Sequence, residues 1–194
     1  MKILAIDSSG MTATVAVAED RKENSVKEPL AKASGCETKD GQLLQISDVQ
    51  IPGTVETGSD KETFALGKLL GSKALPGQTY TLIGDLGVGK TVFTQGFAEG
   101  LGIRDYVNSP TFTILQVYED GRLPLYHFDV YRISDPEEMA EVGFEEYIYS
   151  DGVSIIEWAD LIEEILPGER IEVTIRKEPE KGMDYRKITI RELQ

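Results

Sequence analysis

Residues 84–91 read Gly84-Asp85-Leu86-Gly87-Val88-Gly89-Lys90-Thr91, which fits the pattern G-x-x-x-x-G-K-[ST]. No other stretch restricts the fold as much. Such a segment works only as a tight turn from a strand into a helix. Glycines lacking a Cβ let backbone N–H groups close around an anion, and the first turn of the helix adds free N–H groups and the positive end of its dipole. The surroundings suit this. Thr79–Ile83 is a β-rich run, Phe93 and Phe97 have helical spacing within Thr91–Leu101, and Gly102 is a natural stop. Asp85, Leu86, Gly87, Val88, Gly89, Lys90 and Thr91 are therefore the expected nucleotide-binding residues. Lys90 is suited to the β- and γ-phosphates and the Thr91 hydroxyl to Mg²⁺. A guanine-reading N-K-x-D element is absent, since neither Asn24 nor Asn108 precedes a lysine, so the expected ligands are ATP and Mg²⁺.

The rest of the chain reads as strands alternating with helices. Ser59, with Glu62 three residues on, is a capping-box start, and Phe64, Leu66, Leu69 and Leu70 form an apolar face behind it. Thr113–Tyr118 and Leu123–Val130 read as strands around an Asp120-Gly121 turn. A helix is expected over Asp135–Tyr147, opened by a cap, a proline and early acids. Val153–Ile156 is a short apolar strand and Ala159–Ile165 a short helix. Ile171–Ile175 and Lys187–Arg191 look like a closing antiparallel pair. This order implies an α/β sandwich whose central sheet is mainly parallel, with an antiparallel edge.

A phosphate loop needs acids to hold the metal and orient water. Two stand at expected strand ends, Asp129 after Leu125–Phe128 and Glu157 after Val153–Ile156. Glu157 is expected to share the metal with Thr91, and Asp129 to support it or to act on the attacking water. Thr111, in Ser109-Pro110-Thr111-Phe112, is expected to sense the γ-phosphate from a switch-like loop; the alternative is an ordinary proline turn. Lys90, Asp129, Glu157 and Thr111 are the candidate catalytic residues. His127 reads as a packed strand residue. Arg132 is suited either to phosphate or to the acidic helix beyond it.

Composition narrows the partners. The chain carries 20 Lys+Arg against 34 Asp+Glu, a net charge of −14, and a single His and a single Cys. A multi-cysteine or His-rich metal site is excluded on count. Eleven of the acids fall in 135–164, which holds no base. The excess is local. It reads as a solvated face, with a docking surface for a basic partner as the alternative. Tight nucleic-acid binding by the chain alone is not expected. The apolar runs are too short to span a bilayer and the N-terminus lacks the form of a signal peptide, so a cytoplasmic location is expected.

Taken in order, GDLGVGKT, Ser109-Pro110-Thr111-Phe112-Thr113, His127-Phe128-Asp129-Val130-Tyr131-Arg132 and Glu157-Trp158 resemble the TsaE-type ATPases of bacterial tRNA threonylcarbamoyladenosine biosynthesis. The resemblance covers about 57–193. It implies a three-layer P-loop NTPase sandwich, slow Mg²⁺-dependent ATP hydrolysis, and action with two actin-like partners of the TsaB and TsaD types. Together such proteins place a threonylcarbamoyl group on adenosine beside the anticodon. By match, Lys90 and Thr91 carry phosphate and metal, Glu157 is the metal-linked acid and Asp129 the motif aspartate. Two other classes stay open, a small-molecule kinase of this fold and a nucleotide-gated binding module. The kinase is disfavoured because only Arg104 and Arg122 lie between Thr91 and Asp129.

Residues 1–20 depart from the family. MKILAIDSSGMTATVAVAED resembles the opening strand, turn and strand of a TsaB-type subunit, and is far too short to be such a domain. It reads as an extra hairpin or fusion remnant, or else as a partner mimic. The expected organisation is 1–20 as this fragment, 21–56 as a linker, and 57–194 as the ATPase domain.

Overall fold

The computed structural model describes residues 53–194 and four short strands nearer the N-terminus. The chain separates into two compact units, Met1–Lys32 and Ala33–Gln194. In the first, β1 (Ile3–Asp7) and β2 (Thr14–Ala18) pair antiparallel, close to the two strands expected there. The turn residues Ser8–Gly10 and most of the expected linker lie outside the described residues. In the second unit β3 (Cys36–Glu37) pairs with β4 (Leu43–Leu44), near the expected Gln42–Ile46 strand.

A seven-stranded sheet follows. Its strands are β5 (Gly53–Thr57), β6 (Thr79–Ile83), β7 (Leu115–Tyr118), β8 (Leu125–Asp129), β9 (Val153–Glu157), β10 (Arg170–Lys177) and β11 (Arg186–Leu193). Their order across the sheet is β5-β11-β10-β6-β9-β8-β7. β10, β6, β9 and β8 run parallel. β7 is antiparallel to β8 on one side, and β11 and β5 are antiparallel on the other. Both edges are therefore antiparallel, where one was expected. The tight Asp120–Gly121 connection forces an antiparallel partner onto β8, and β5 adds a strand that begins inside the segment read as linker.

Burial tracks this arrangement. β9 is buried at every position and β6 at four of five, as strands covered on both faces must be. β10 and β11 alternate instead, hiding Ile171, Val173, Ile175, Ile188 and Ile190 on one face. That face meets α1 (Asp60–Lys73) and α2 (Lys90–Gly100) through Leu66, Leu70, Phe93 and Phe97. The opposite face of β8 and β9 meets short helices, with Phe128 and Ile156 packing on Met139, Phe144 and Ile162. The result is the three-layer α/β sandwich of a P-loop NTPase.

α1 starts at Ser59, whose Oγ accepts from the Glu62 N–H at 3.3 Å. The Glu62 carboxylate returns to the Gly58 N–H at 2.8 Å, one residue before the expected partner. The buried face of α1 is Thr63, Leu66, Gly67, Leu70 and Gly71; Phe64 and Leu69, counted on from spacing, are only half-buried. The difference is glycine. A Cβ on Gly67 or Gly71 would strike the carbonyl oxygens of Phe93 or Phe97, and one on Gly96 or Gly100 those of Phe64 or Lys68. Two four-residue glycine pairs face each other, so the helix backbones lie against one another without side chains between them.

The expected Asp135–Tyr147 helix is divided. Asp135 forms a complete capping box, and a 3₁₀ turn covers Pro136–Ala140. A separate α3 (Phe144–Ile148) follows Gly143, which sits at φ 70°, a left-handed conformation that ends the first turn. Ala159–Ile165 is likewise 3₁₀, kinked at Ile162. No helix among the described residues is long and apolar enough to cross a membrane.

Gly67→Ala and Gly96→Ala should each destabilise the fold by about 1–3 kcal/mol, the range for overpacking a close contact. Gly168→Ala, whose Cβ would meet nothing closer than 4.0 Å, should change stability by less than about 0.5 kcal/mol. Urea unfolding midpoints measure all three.

Candidate functional site

The parallel strands bring their carboxyl ends to one edge of the sheet, where open α/β sheets bind ligands. β6 delivers the 84–89 loop there. Asp129 closes β8 and Glu157 closes β9, directly paired in register, and Leu82 of β6 pairs with Glu157 on the other side. Three segments distant in sequence thus end within one strand spacing of their neighbours.

The loop depends on backbone conformations that L residues avoid. Gly87 lies at φ 69° and Gly89, which caps α2, at φ 104°. Val88 points down into the core and is 1 % exposed, while Leu86 is exposed. Arg186 of β11 steadies the loop from below. Its Nε donates to the Val88 carbonyl at 2.7 Å, and its Nη1 to Met183 and Tyr185 carbonyls.

Lys90 is 5 % exposed. Its ammonium donates to the carbonyls of Gly84 at 2.6 Å and Asp85 at 3.1 Å, and lies 3.4 Å from the centre of the Trp158 ring. Burial pushes its pKa below the usual lysine value, and the carboxylates of Glu157, Asp129, Asp160 and Asp85 oppose that shift. Trp158 adopts φ 63°, rare for a bulky residue, and its ring packs 4.8 Å from that of Tyr131.

Glu157 is 2 % exposed, so its oxygens must find donors within the protein. Oε2 accepts from Thr91 Oγ1 at 3.1 Å. Oε1 meets His127 Nε2 at 2.9 Å and Thr94 Oγ1 at 3.2 Å, the one Thr94 proton being shared with the Lys90 carbonyl at 3.1 Å. Asp129 serves the Ser109–Thr111 segment. Its Oδ2 accepts from Ser109 Oγ at 2.5 Å and Thr111 Oγ1 at 2.6 Å, and its Oδ1 from the Tyr131 N–H at 3.1 Å. At the far end of that segment Ile114 lies at φ 65°, a second strained position beside the site.

Lys90, Thr91, Thr111, Asp129 and Glu157 all line one open cleft of about 410 Å³, together with Leu86, Gly87 and Gly89. Asp85 is reached through its carbonyl and Val88 lies beneath the floor. Arg132 does not line this cleft; it is exposed, with its guanidinium 5.0 Å from the centre of the Phe112 ring. His127 is the buried strand residue expected, and in addition touches the acid. Thr94 and Arg186 stand in no sequence motif, while Ser109, Tyr131 and Trp158 stand in motifs that assign them no role of their own. Thr94 had a signal, one helical turn beyond Lys90 and Thr91, and His127 shared a strand face with Asp129. Arg186 had none, because only chain reversal at the sheet edge brings it under the loop.

Oxygen donors dominate the cleft, and among the described residues no group of three or more His, Cys, Asp or Glu could hold a metal by itself. One carboxylate beside one hydroxyl suits Mg²⁺, which keeps several waters and takes further ligands from a bound phosphate. The glycine turn, the helix start and Lys90 suit that phosphate.

The chain is similar to known proteins in sequence and in fold. A family described as "Threonylcarbamoyl adenosine biosynthesis protein TsaE" matches residues 57–188. A relative from Bacillus subtilis (strain 168), described as "tRNA threonylcarbamoyladenosine biosynthesis protein TsaE", is 54% identical over 133 residues, covering 69% of this chain and 81% of its own. One of the same description from Treponema pallidum (strain Nichols) is 41% identical over 118 residues, covering 61% and 87%. The solved structure "Crystal structure of Bacillus subtilus YdiB" superposes with a TM-score of 0.63 at 46% identity, covering 73% of this chain and 86% of that one.

Asp129→Ala removes the acceptor that holds Ser109 and Thr111. Hydrogen bonds to a charged group are worth about 1.5–3 kcal/mol. Amide exchange across 109–113 should therefore rise about tenfold or more, with α1 and α2 unchanged, as read by hydrogen-exchange mass spectrometry.

Proposed function

The chain belongs to the threonylcarbamoyl adenosine biosynthesis protein TsaE family, and on that premise we propose that it is a Mg²⁺-dependent ATPase supporting threonylcarbamoylation of adenosine next to the anticodon of tRNA. The observation that carries the reading is the meeting of Lys90, Thr91 and Glu157 at the mouth of a glycine turn. Lys90 exchanges its bonds to Gly84 and Asp85 for the β- and γ-phosphates of ATP. Thr91 and Glu157 would hold Mg²⁺, which when bound neutralises phosphate charge. Asp129 sets Ser109 and Thr111 beside the γ-phosphate, and with Glu157 orients the attacking water.

The kinase alternative has less support. Arg122 does not face the cleft; its Nη2 donates to the Gly71 and Ala74 carbonyls and closes the end of α1. Arg104 lies at a separate groove, away from the loop. That leaves no arginine between Thr91 and Asp129 to enclose a transferred phosphoryl group. A purely nucleotide-gated module differs from an ATPase in not needing Glu157 for its output.

The proposed partners are actin-like proteins of the TsaB and TsaD types, in the cytoplasm. The tRNA is reached through that complex, since a net charge of −14 opposes direct phosphate binding. Lys90→Ala and Glu157→Ala should each lower ATP turnover at least about a hundredfold, measured as phosphate release. In a reconstituted system both should stop formation of threonylcarbamoyladenosine, measured by mass spectrometry of digested tRNA. Normal modification by both variants overturns the proposal, and ATP-dependent complex formation with full output from Glu157→Ala favours the binding module. Salt-sensitive tRNA binding by the purified chain alone would overturn the indirect role.

A further inference from the structure

We propose that His127 is a positioning residue. It holds one oxygen of Glu157 inside the protein so that the other faces the cleft, and thereby sets the site's response to Mg²⁺. This rests on the reading of Thr91 and Glu157 as the metal-holding pair.

The two oxygens of Glu157 have different surroundings. Oε1 is held by His127 Nε2 and Thr94 Oγ1, both fully buried and neither lining the cleft. Oε2 has Thr91 as its partner, and Thr91 does line the cleft. His127 and a share of the single Thr94 proton, which also meets the Lys90 carbonyl at 3.1 Å, engage Oε1 from within, while Oε2 keeps capacity on the ligand side. A carboxylate only accepts, so Nε2 is the donor in this contact.

Nδ1 is what separates positioning from packing. It is buried and has no hydrogen-bond partner among the described residues. An unsatisfied buried nitrogen is unfavourable, and a leucine in the middle of β8 would fill the space without one. The contact that offsets it is the 2.9 Å bond to Glu157. β8 supplies the aim: His127 and Asp129 share a face, and Asp129 is paired in register with Glu157, so the imidazole meets Glu157 on the diagonal. Partners that orient a ligating group in this way are worth about 10–100-fold in metal affinity.

The test uses the full chain and a fluorescent N-methylanthraniloyl ADP, titrated in Mg²⁺ and in EDTA. The readout is the ratio of the two affinities, which a general loss of folded protein leaves unchanged. His127→Leu fills the volume without a donor and should lower the ratio about tenfold or more. His127→Gln keeps an N–H donor and should stay within about threefold of the parent, on the same scale. A parental ratio in folded His127→Leu overturns the proposal, and so does an equal drop in both variants, which would mark ring shape and not donation. If His127→Leu does not fold, His127→Gln decides alone, since a tenfold loss there removes the donor role. A parent whose affinity does not respond to Mg²⁺ overturns the Thr91–Glu157 metal reading itself, and this proposal with it.

Discussion

A carboxylate shut away from water must be given donors or lose its charge, and at Glu157 those donors come from two elements. Thr91 and Thr94 belong to α2 and His127 to β8, while Glu157 itself ends β9. Helix and sheet are therefore locked together at the point where the 84–89 loop turns. The rotation of α2 follows, because two threonines one turn apart must both face the acid. The direction of Lys90 follows in turn, since it precedes Thr91 on the same first turn.

The glycine contacts between α1 and α2 serve the same end. Helices separated by ordinary side chains lie about 8–10 Å apart. Here Gly67, Gly71, Gly96 and Gly100 remove those side chains where the two backbones meet. α1 and α2 then act as one slab across the sheet, with Leu66, Leu70, Phe93 and Phe97 beneath. Arg122 fastens the end of α1 and Arg186 the underside of the loop. The opposite layer is built differently, from short 3₁₀ turns and one α-turn bearing most of the acids of 135–164. The 135–164 acids are exposed except for Glu157, so most of the net charge lies on that side of the sheet and outside the nucleotide cleft.

Features with a local cause could be read from the chain. Ser59 caps α1, Asp135 forms its capping box, and the β-rich run and loop around Gly84–Thr91 take the expected form. Asp129 and Glu157 stand at strand ends because an apolar run that terminates in an acid must stop where solvent or ligand begins. Local rules fail where a longer-range contact overrides them. Apolar spacing promoted Phe64 and Leu69 over the glycines that actually face α2, because spacing rules count side chains and the contact is made by their absence. Acid-rich helical composition over 135–147 did not register that Gly143 would turn left-handed and divide it.

The sequence alone determined a nucleotide loop, the acids able to serve it and the alternation of strand and helix around them, because each is written within a few consecutive residues. Tertiary structure alone decided that β5 closes the sheet beside β11, that Arg186 supports the loop from β11, that Asp129 holds Ser109 and Thr111, and that the chain's single histidine reaches Glu157. The side-chain contacts among these join residues 18 to 98 positions apart. Side-chain type limits such partners, but only strand order and register bring them within hydrogen-bond reach.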